Sequence, residues 1–377
     1  MKKVLLGTSA LLGAGLVASP AFAADGIKLE LGGFFKTAVM GNWDDHGSSD
    51  LGNRRYNSVV SSDAEVWFKG KTTLDNGLTV GTRVELEGEQ NNDQIDAAFV
   101  FFQGGFGEVR IGSQNGAMAA QCITPVGSTA NFGAISPSSI GNNAMVDTNA
   151  GSATVCESVD SEGSGSKSQK IVYITPSFGG FQLALSWSPN GAHESAGVSN
   201  GHAGMPAVVD GEQRNVVDAY ASFSHDFDGW SLSAGGGGSW ALSTGGTGGK
   251  KQQDYQAGLN LTFGSFSVGG AFEYMNNENR TGVSLGADQW TGAAGMAYNV
   301  DAWTVGLQYS YTKVYDTDAL HTHRNVHQIE LTGKYDMGPG IALDAGIGYA
   351  HANGSSGDAA HGGYDAFNVG LGTSFTF

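Results

Sequence analysis

Apolar and polar residues alternate with a period of two along much of this chain. Leu78, Val80, Thr82, Val84 and Leu86 fall on one side of an extended segment, with Thr79, Gly81, Arg83, Glu85 and Glu87 on the other. Trp303, Val305, Leu307, Tyr309 and Tyr311 alternate in the same way with Thr304, Gly306, Gln308, Ser310 and Thr312. So do Phe367, Val369, Leu371, Thr373, Phe375 and Phe377 with Asn368, Gly370, Gly372, Ser374 and Thr376. Successive side chains of a strand point to opposite faces, so each run reads as a strand with one apolar and one wet face. Helical spacing fits none of them. Strands are expected near 27–40, 59–73, 78–92, 93–104, 106–114, 168–177, 180–188, 215–226, 229–242, 252–263, 265–276, 288–299, 302–314, 325–337, 340–351 and 363–377. That is about 16, with 14 and 18 the neighbouring even counts.

Short turn signals join these runs in pairs: Asp75-Asn76-Gly77, Gly104-Gly105, Phe178-Gly179-Gly180, Asp228-Gly229 and Met337-Gly338-Pro339-Gly340. The alternate connections are longer and polar, as at 41–57, 190–213 and 315–325. Tight turns at one end and long loops at the other distinguish a transmembrane antiparallel β-barrel from a soluble sandwich. The fold class is therefore all-β, a barrel of about 16 strands, wide enough to leave an aqueous lumen. Aromatic residues recur near strand ends on the expected lipid face, namely Trp67 with Phe68, Tyr274, Trp290, Tyr335 and Tyr349, as interfacial girdles require.

Composition agrees with this picture. Glycine supplies 60 of 377 residues against 7 prolines, and each glycine inside a helix costs roughly 1 kcal/mol. No apolar run downstream is long enough for a spanning helix, but alternating strands average to low hydrophobicity even when they cross a membrane. Met1-Lys2-Lys3, the apolar run Val4 to Ala18 and Ala21-Phe22-Ala23 have the form of a secretory signal peptide, residues 1–23, which leaves 24–377 as a single barrel domain. Net charge is −17, and losing Lys2 and Lys3 takes it to −19. Such a balance disfavours nucleic acid as a partner, because phosphate contacts need clustered Lys and Arg; in a channel it attracts cations. Cys122 and Cys156 fall in one long irregular segment. In an oxidising compartment they are expected to pair; two free thiols are the alternative. Without a nearby histidine pair they do not form a metal site.

Gly105-Phe106-Gly107-Glu108-Val109-Arg110-Ile111-Gly112, followed by Gln114-Asn115-Gly116 and a long segment, resembles the fifth strand and pore-loop start of Gram-negative general porins. Lys170-Ile171-Val172-Tyr173-Ile174-Thr175-Pro176-Ser177-Phe178-Gly179-Gly180-Phe181 is similar to the strand that follows that loop. Phe377, with Phe375 before it, is similar to the terminal aromatic assembly signal of outer-membrane barrels. The resemblance implies a 16-stranded homotrimer in the outer membrane of a Gram-negative bacterium, surrounded by lipid and passing small hydrophilic solutes and ions without a cofactor. It also implies that a constriction loop, here about 116–166, folds into the lumen. A structureless segment of that length would otherwise argue against a compact domain.

Strand alternation puts Lys36, Glu65, Lys69, Arg83, Glu85, Glu87, Glu108 and Arg110 on the lumen side, and the loop adds Asp147, Glu157, Asp160 and Glu162. In the resembled family acidic loop groups face a basic wall, and Lys36, Arg83 and Arg110 are the candidates for that wall. Lys36, Glu65, Arg83, Glu85, Arg110, Asp147, Glu157, Asp160 and Glu162 are thus the expected constriction set. Glu65, Ser113 and Ile174 stand where relatives commonly carry bases, which would leave acids dominant and favour cations. Any one of these acids taken alone also fits a solvated rim charge.

Other chemistry is weakly signalled. No G-x-S-x-G elbow or H-E-x-x-H run is present. His321, His323 and His327 with Arg324 read as a surface loop before a metal site, and Asp44-Asp45-His46-Gly47 with Asp50 lacks the spacing and closing glutamate of an EF-hand. The rival functions are a substrate-selective channel, which would carry an aromatic or charged ladder in its lumen, and a barrel hydrolase. The wet faces show mainly Gly, Ser, Thr, Gln and charges, which favours non-specific diffusion.

Overall fold

The computed structural model describes residues 26–47, 56–88, 95–135, 155–159, 167–191, 198–199, 202–203, 212–245, 250–278, 287–315, 323–354 and 363–377. The first five strands are β1 (Lys28–Asp44), β2 (Ser58–Thr73), β3 (Thr79–Glu87), β4 (Ile95–Gly104) and β5 (Gly107–Ser113). A one-turn helix α1 (Ala117–Gln121) follows, then β6 (Gln169–Ile174), β7 (Phe181–Asn190) and a two-stranded ribbon, β8 (Val198–Ser199) with β9 (His202–Ala203). The remainder is β10 (Gln213–Phe227), β11 (Trp230–Thr244), β12 (Gln253–Phe263), β13 (Phe266–Glu278), β14 (Ala287–Val300), β15 (Trp303–Tyr315), β16 (His323–Gly338), β17 (Ile341–Gly354) and β18 (Tyr364–Thr376).

Apart from the β8–β9 ribbon, each strand pairs antiparallel with its neighbour, and β1 pairs with both β2 and β18, so the described residues close a barrel of 16 strands. Each expected strand has its counterpart. The strands at the long-loop end run further than the pattern suggested: β1 reaches Asp44, and β16 begins at His323, so His323, Arg324 and His327 are strand residues rather than loop residues. His321 and Asp50 lie outside the described residues.

The two faces differ as alternation requires. On β17, Ile341, Leu343, Ile347 and Tyr349 are exposed outward, whereas Ala342, Asp344 and Ala350 are buried inward. Rings link in two outer belts. Phe181, Phe223, His225, Phe227, Trp230 and Phe263 form a chain near the tight turns. Trp240, Tyr255 and Tyr274, and separately Trp290, Tyr311, His327 and His351, do so toward the long loops. The tight turns are short because little separates the paired strands: residues 228–229 alone join β10 to β11, with Gly229 at φ +82°.

Four apolar clusters lie inside the barrel, between its wall and the chain that follows β5. Phe132 packs with Ala38 and Met40, Ala117 with Val172, Ile174 and Ala184, and Val159 with Val216 and Ala241. Gly346 and Gly370 make room for Phe132, since a Cβ on either would come within 2.5 Å of its ring.

A charge on the outer face has no water to meet, whereas one on the inner face does. Ile347→Arg is therefore expected to destabilise the barrel in liposomes by about 2–4 kcal/mol, and Ser222→Arg, on the inner face, by much less. Denaturant titration of both variants checks this.

Candidate functional site

The segment after β5 turns inward and lies along one side of the barrel. Ala117 N–H donates to Ser186 Oγ (2.9 Å), and Ile123 N–H to Tyr220 Oη (3.2 Å). The loop carbonyls are then met one after another by wall side chains: Ile123 O by Gln256 Nε2, Thr124 O by Asn260 Nδ2, Pro125 O by Gln308 Nε2 and Gly127 O by Thr332 Oγ1, at 2.6 to 3.1 Å. Its donors meet wall carboxylates. Met118 N–H points at Asp218 (3.4 Å), Glu157 N–H at Glu273 (2.8 Å), and Asn131 Nδ2 at Asp344 (2.7 Å). Buried backbone polar groups require partners, and the inner faces of β7 and β10 to β18 supply them.

Sequence reasoning missed Asp218, Glu273 and Asp344 because each reads as an ordinary wet-face acid. The signal available was their position on strands that an inward loop would have to cover. Cys122 and Cys156 are bonded, with Cα atoms 5.8 Å apart and a sequence separation of 34. The bond ties the end of α1 to the Val155–Val159 stretch, and closing a loop of that size stabilises by roughly 3–4 kcal/mol on the chain-entropy account.

The opposite wall, β1 to β5, carries charge in pairs. Lys36 meets Asp63 at 2.8 Å and Arg83 meets Glu85 at 2.5 Å, while Arg110 pairs with Glu108. Lys167, from the far end of the loop, reaches Glu85 at 3.3 Å and also pairs with Asp96. Asp96 was missed because strict alternation places it outward with Ala98 and Val100; a register shift between Glu85 and Leu86 supplies the extra residue there. Glu65, Glu85 and Asp96 bring carboxylate oxygens within 4.8 Å of one another, as a metal site would. The Lys167 ammonium already supplies a cation to two of the three. Four of the wall bases also lie over rings: Lys36 over Phe34, Lys69 over Phe101, Arg83 over Trp67 and Arg110 over Phe99, at 4.8 to 5.6 Å from the centroid.

The expected constriction set is thus divided. Lys36, Glu65, Arg83, Glu85 and Arg110 share the β1–β5 wall, and Glu157 lies across the lumen beside Glu273 on β13. Asp147, Asp160 and Glu162 lie outside the described residues, as do residues 1–23. Of the positions expected to have lost a base, Ile174 packs against Ala117 and Ser113 is buried.

The sequence model of the Gram-negative porins matches residues 7–355. This chain belongs to the Gram-negative porin family. A protein called a monosaccharide porin, from Halomonas sp, is 26% identical over 217 residues, 54% of each chain. The porin thus spans about half the length of that curated relative. Among solved structures, an anion-selective porin from Comamonas acidovorans superposes with a TM-score of 0.61 at 19% identity, covering 93% of this chain and 100% of that one. OmpT of Vibrio cholerae, an outer membrane protein in its trimer form, does so at 0.58 and 13%, covering 94% and 100%. These likenesses show the shared fold. Family membership places the porin in the outer membrane, with its tight turns on the periplasmic side.

A further expectation is overturned in this porin. Trp67 is not part of the lipid-facing girdle with Phe68. It stands directly opposite Glu85, with the Arg83 guanidinium over its ring, so it faces the lumen. Adjacent residues of a strand cannot share a face, and Phe68, 38% exposed, takes the outer one. Tyr274, Trp290, Tyr335 and Tyr349 do lie on the outer face. At the seam, Phe377 exchanges both backbone hydrogen bonds with Gly33 (3.0 and 3.1 Å), while its side chain is exposed outward.

Asp344→Ala removes an acceptor from the buried Asn131 amide and is expected to cost about 1–3 kcal/mol, measured by denaturant unfolding in liposomes. Thiol labelling of the folded, unreduced porin should find no reactive cysteine; two labelled thiols would contradict the staple.

Proposed function

We propose that this porin is a water-filled channel for passive diffusion of small hydrophilic solutes and ions, that it prefers cations, and that it works as a homotrimer. One observation carries the channel reading: the inward loop is held against β6, β7 and β10 to β18, while charged side chains line the wall from β1 to β5. A passage bounded by charged groups, with its loop fixed by hydrogen bonds along one side, suits diffusion without a dedicated ligand. Lys36, Glu65, Arg83, Glu85, Arg110 and Glu157 are the residues that would set its selectivity, together with Asp147, Asp160 and Glu162.

Cation preference is supported by the net charge of −17 and by the pairing of Lys36, Arg83, Arg110 and Lys167 with acids of the same wall, which leaves little uncompensated positive charge. Low-dielectric walls strengthen the effect of whatever charge is left over. The Comamonas acidovorans protein is described as anion-selective, so selectivity is read from these side chains and not from the shared fold. The trimer rests on family resemblance and on the trimer form of OmpT. Uptake of a monosaccharide, named for the Halomonas relative, is the form that a substrate-selective reading would take.

Planar-bilayer recording separates the readings. Large ohmic steps are expected; block by one sugar would mean a selective channel, and silence accompanied by turnover of lipid or peptide would mean a hydrolase. Neutralising Asp147, Glu157, Asp160 and Glu162 to amides should lower the cation-to-anion permeability ratio more than neutralising Asp316 and Asp318, since charges beyond a Debye length of about 10 Å at 0.1 M salt are screened. An anion-selective reversal potential in the unmodified porin would overturn the preference. Sedimentation in detergent is expected to show a trimer, and a stable monomer alone would refute it.

A further inference from the structure

Lys69 on β2 and Arg83 on β3 are directly opposite one another, and both belong to the lumen face. Like charges in that position repel. The rings draw them apart. The Lys69 ammonium lies 5.5 Å from the Phe101 centroid, and Phe101 stands opposite Gly81, toward the tight-turn end. The Arg83 guanidinium lies 4.8 Å from the Trp67 centroid, toward the long-loop end, with its Nε 2.5 Å from Glu85 Oε1. The indole is held in turn, because it occupies the space where any side chain at Gly32 would begin.

We propose that Trp67 is a positioning residue that sets the ion selectivity of the pore by fixing the Arg83 charge. A planar guanidinium stacks on an aromatic face and offers its edge to a carboxylate at the same time. Arg83 is so constrained from two directions, its side chain 31% exposed and its charge kept beside Glu85. Released from the ring, it would swing into the passage as a mobile positive charge and oppose cation entry. The proposal rests on the channel reading, but its direction does not depend on whether the unmodified pore favours cations or anions.

The test is single-channel conductance and reversal potential of reconstituted porin in a KCl gradient. Trp67→Ala is expected to lower the cation-to-anion permeability ratio about twofold, and Trp67→Phe, which keeps a ring, to leave it close to the unmodified value. In an Arg83→Gln background, Trp67→Ala should cause no further shift. Arg83→Lys leaves the indole in place and conserves charge but loses the fork and stacking geometry; it should shift the ratio in the same direction as Trp67→Ala, which keeps the test open if that variant fails to assemble. A change in conductance with an unaltered ratio, or an equal shift with and without Arg83, would overturn the positioning role. An unmodified porin that gives no ohmic steps would overturn the channel reading and this inference with it.

Discussion

Lipid offers no partner to a peptide N–H or C=O, so a chain that crosses it with strands must pair the last strand with the first. The rest of this structure depends on the β1–β18 seam, eleven registered pairs from Phe34 opposite Thr376 to Asp44 opposite Ala366. Closure removes the sheet edges and creates an inside. Once there is an inside, the period-two alternation acquires its meaning, because one face must satisfy lipid and the other water.

The inside is then divided by the loop that enters it. A segment lying in the lumen must find partners for its own backbone, and it finds them in the Gln, Asn, hydroxyl and carboxylate side chains of β7 and β10 to β18. Asp218, Glu273 and Asp344 on that side accept hydrogen bonds from loop donors, so they contribute to attachment at the same time as to net charge. The disulfide limits how far the two limbs of the loop can separate. Small residues such as Gly346 and Gly370 allow Phe132 to sit against the wall, and four of the apolar clusters form where the loop meets the wall.

The other side is left to electrostatics. Its bases are held by acids and by rings, so they behave as fixed dipoles more than as free charges. The β4 bulge turns Asp96 toward Lys167 and ties the end of the loop to the same wall that it faces. Field and geometry are coupled there: moving the loop moves a lysine, and moving a ring moves an arginine.

Periodicity, turn chemistry and loop lengths in the sequence alone determined the all-β class, a strand count of about sixteen and which face of most strands meets lipid, because these are properties of residues near one another in the chain. Alternation likewise placed Lys36, Glu65, Arg83, Glu85 and Arg110 on the lumen face. Only the tertiary structure decided which of them are paired, that Asp96 turns inward at a bulge, that Trp67 belongs to the lumen, and that Asp218, Glu273 and Asp344 hold the loop. The reason is physical. A register shift depends on the partner strand, and the role of an acid inside a barrel depends on whether a loop segment 100 or more residues away in sequence comes to lie on it.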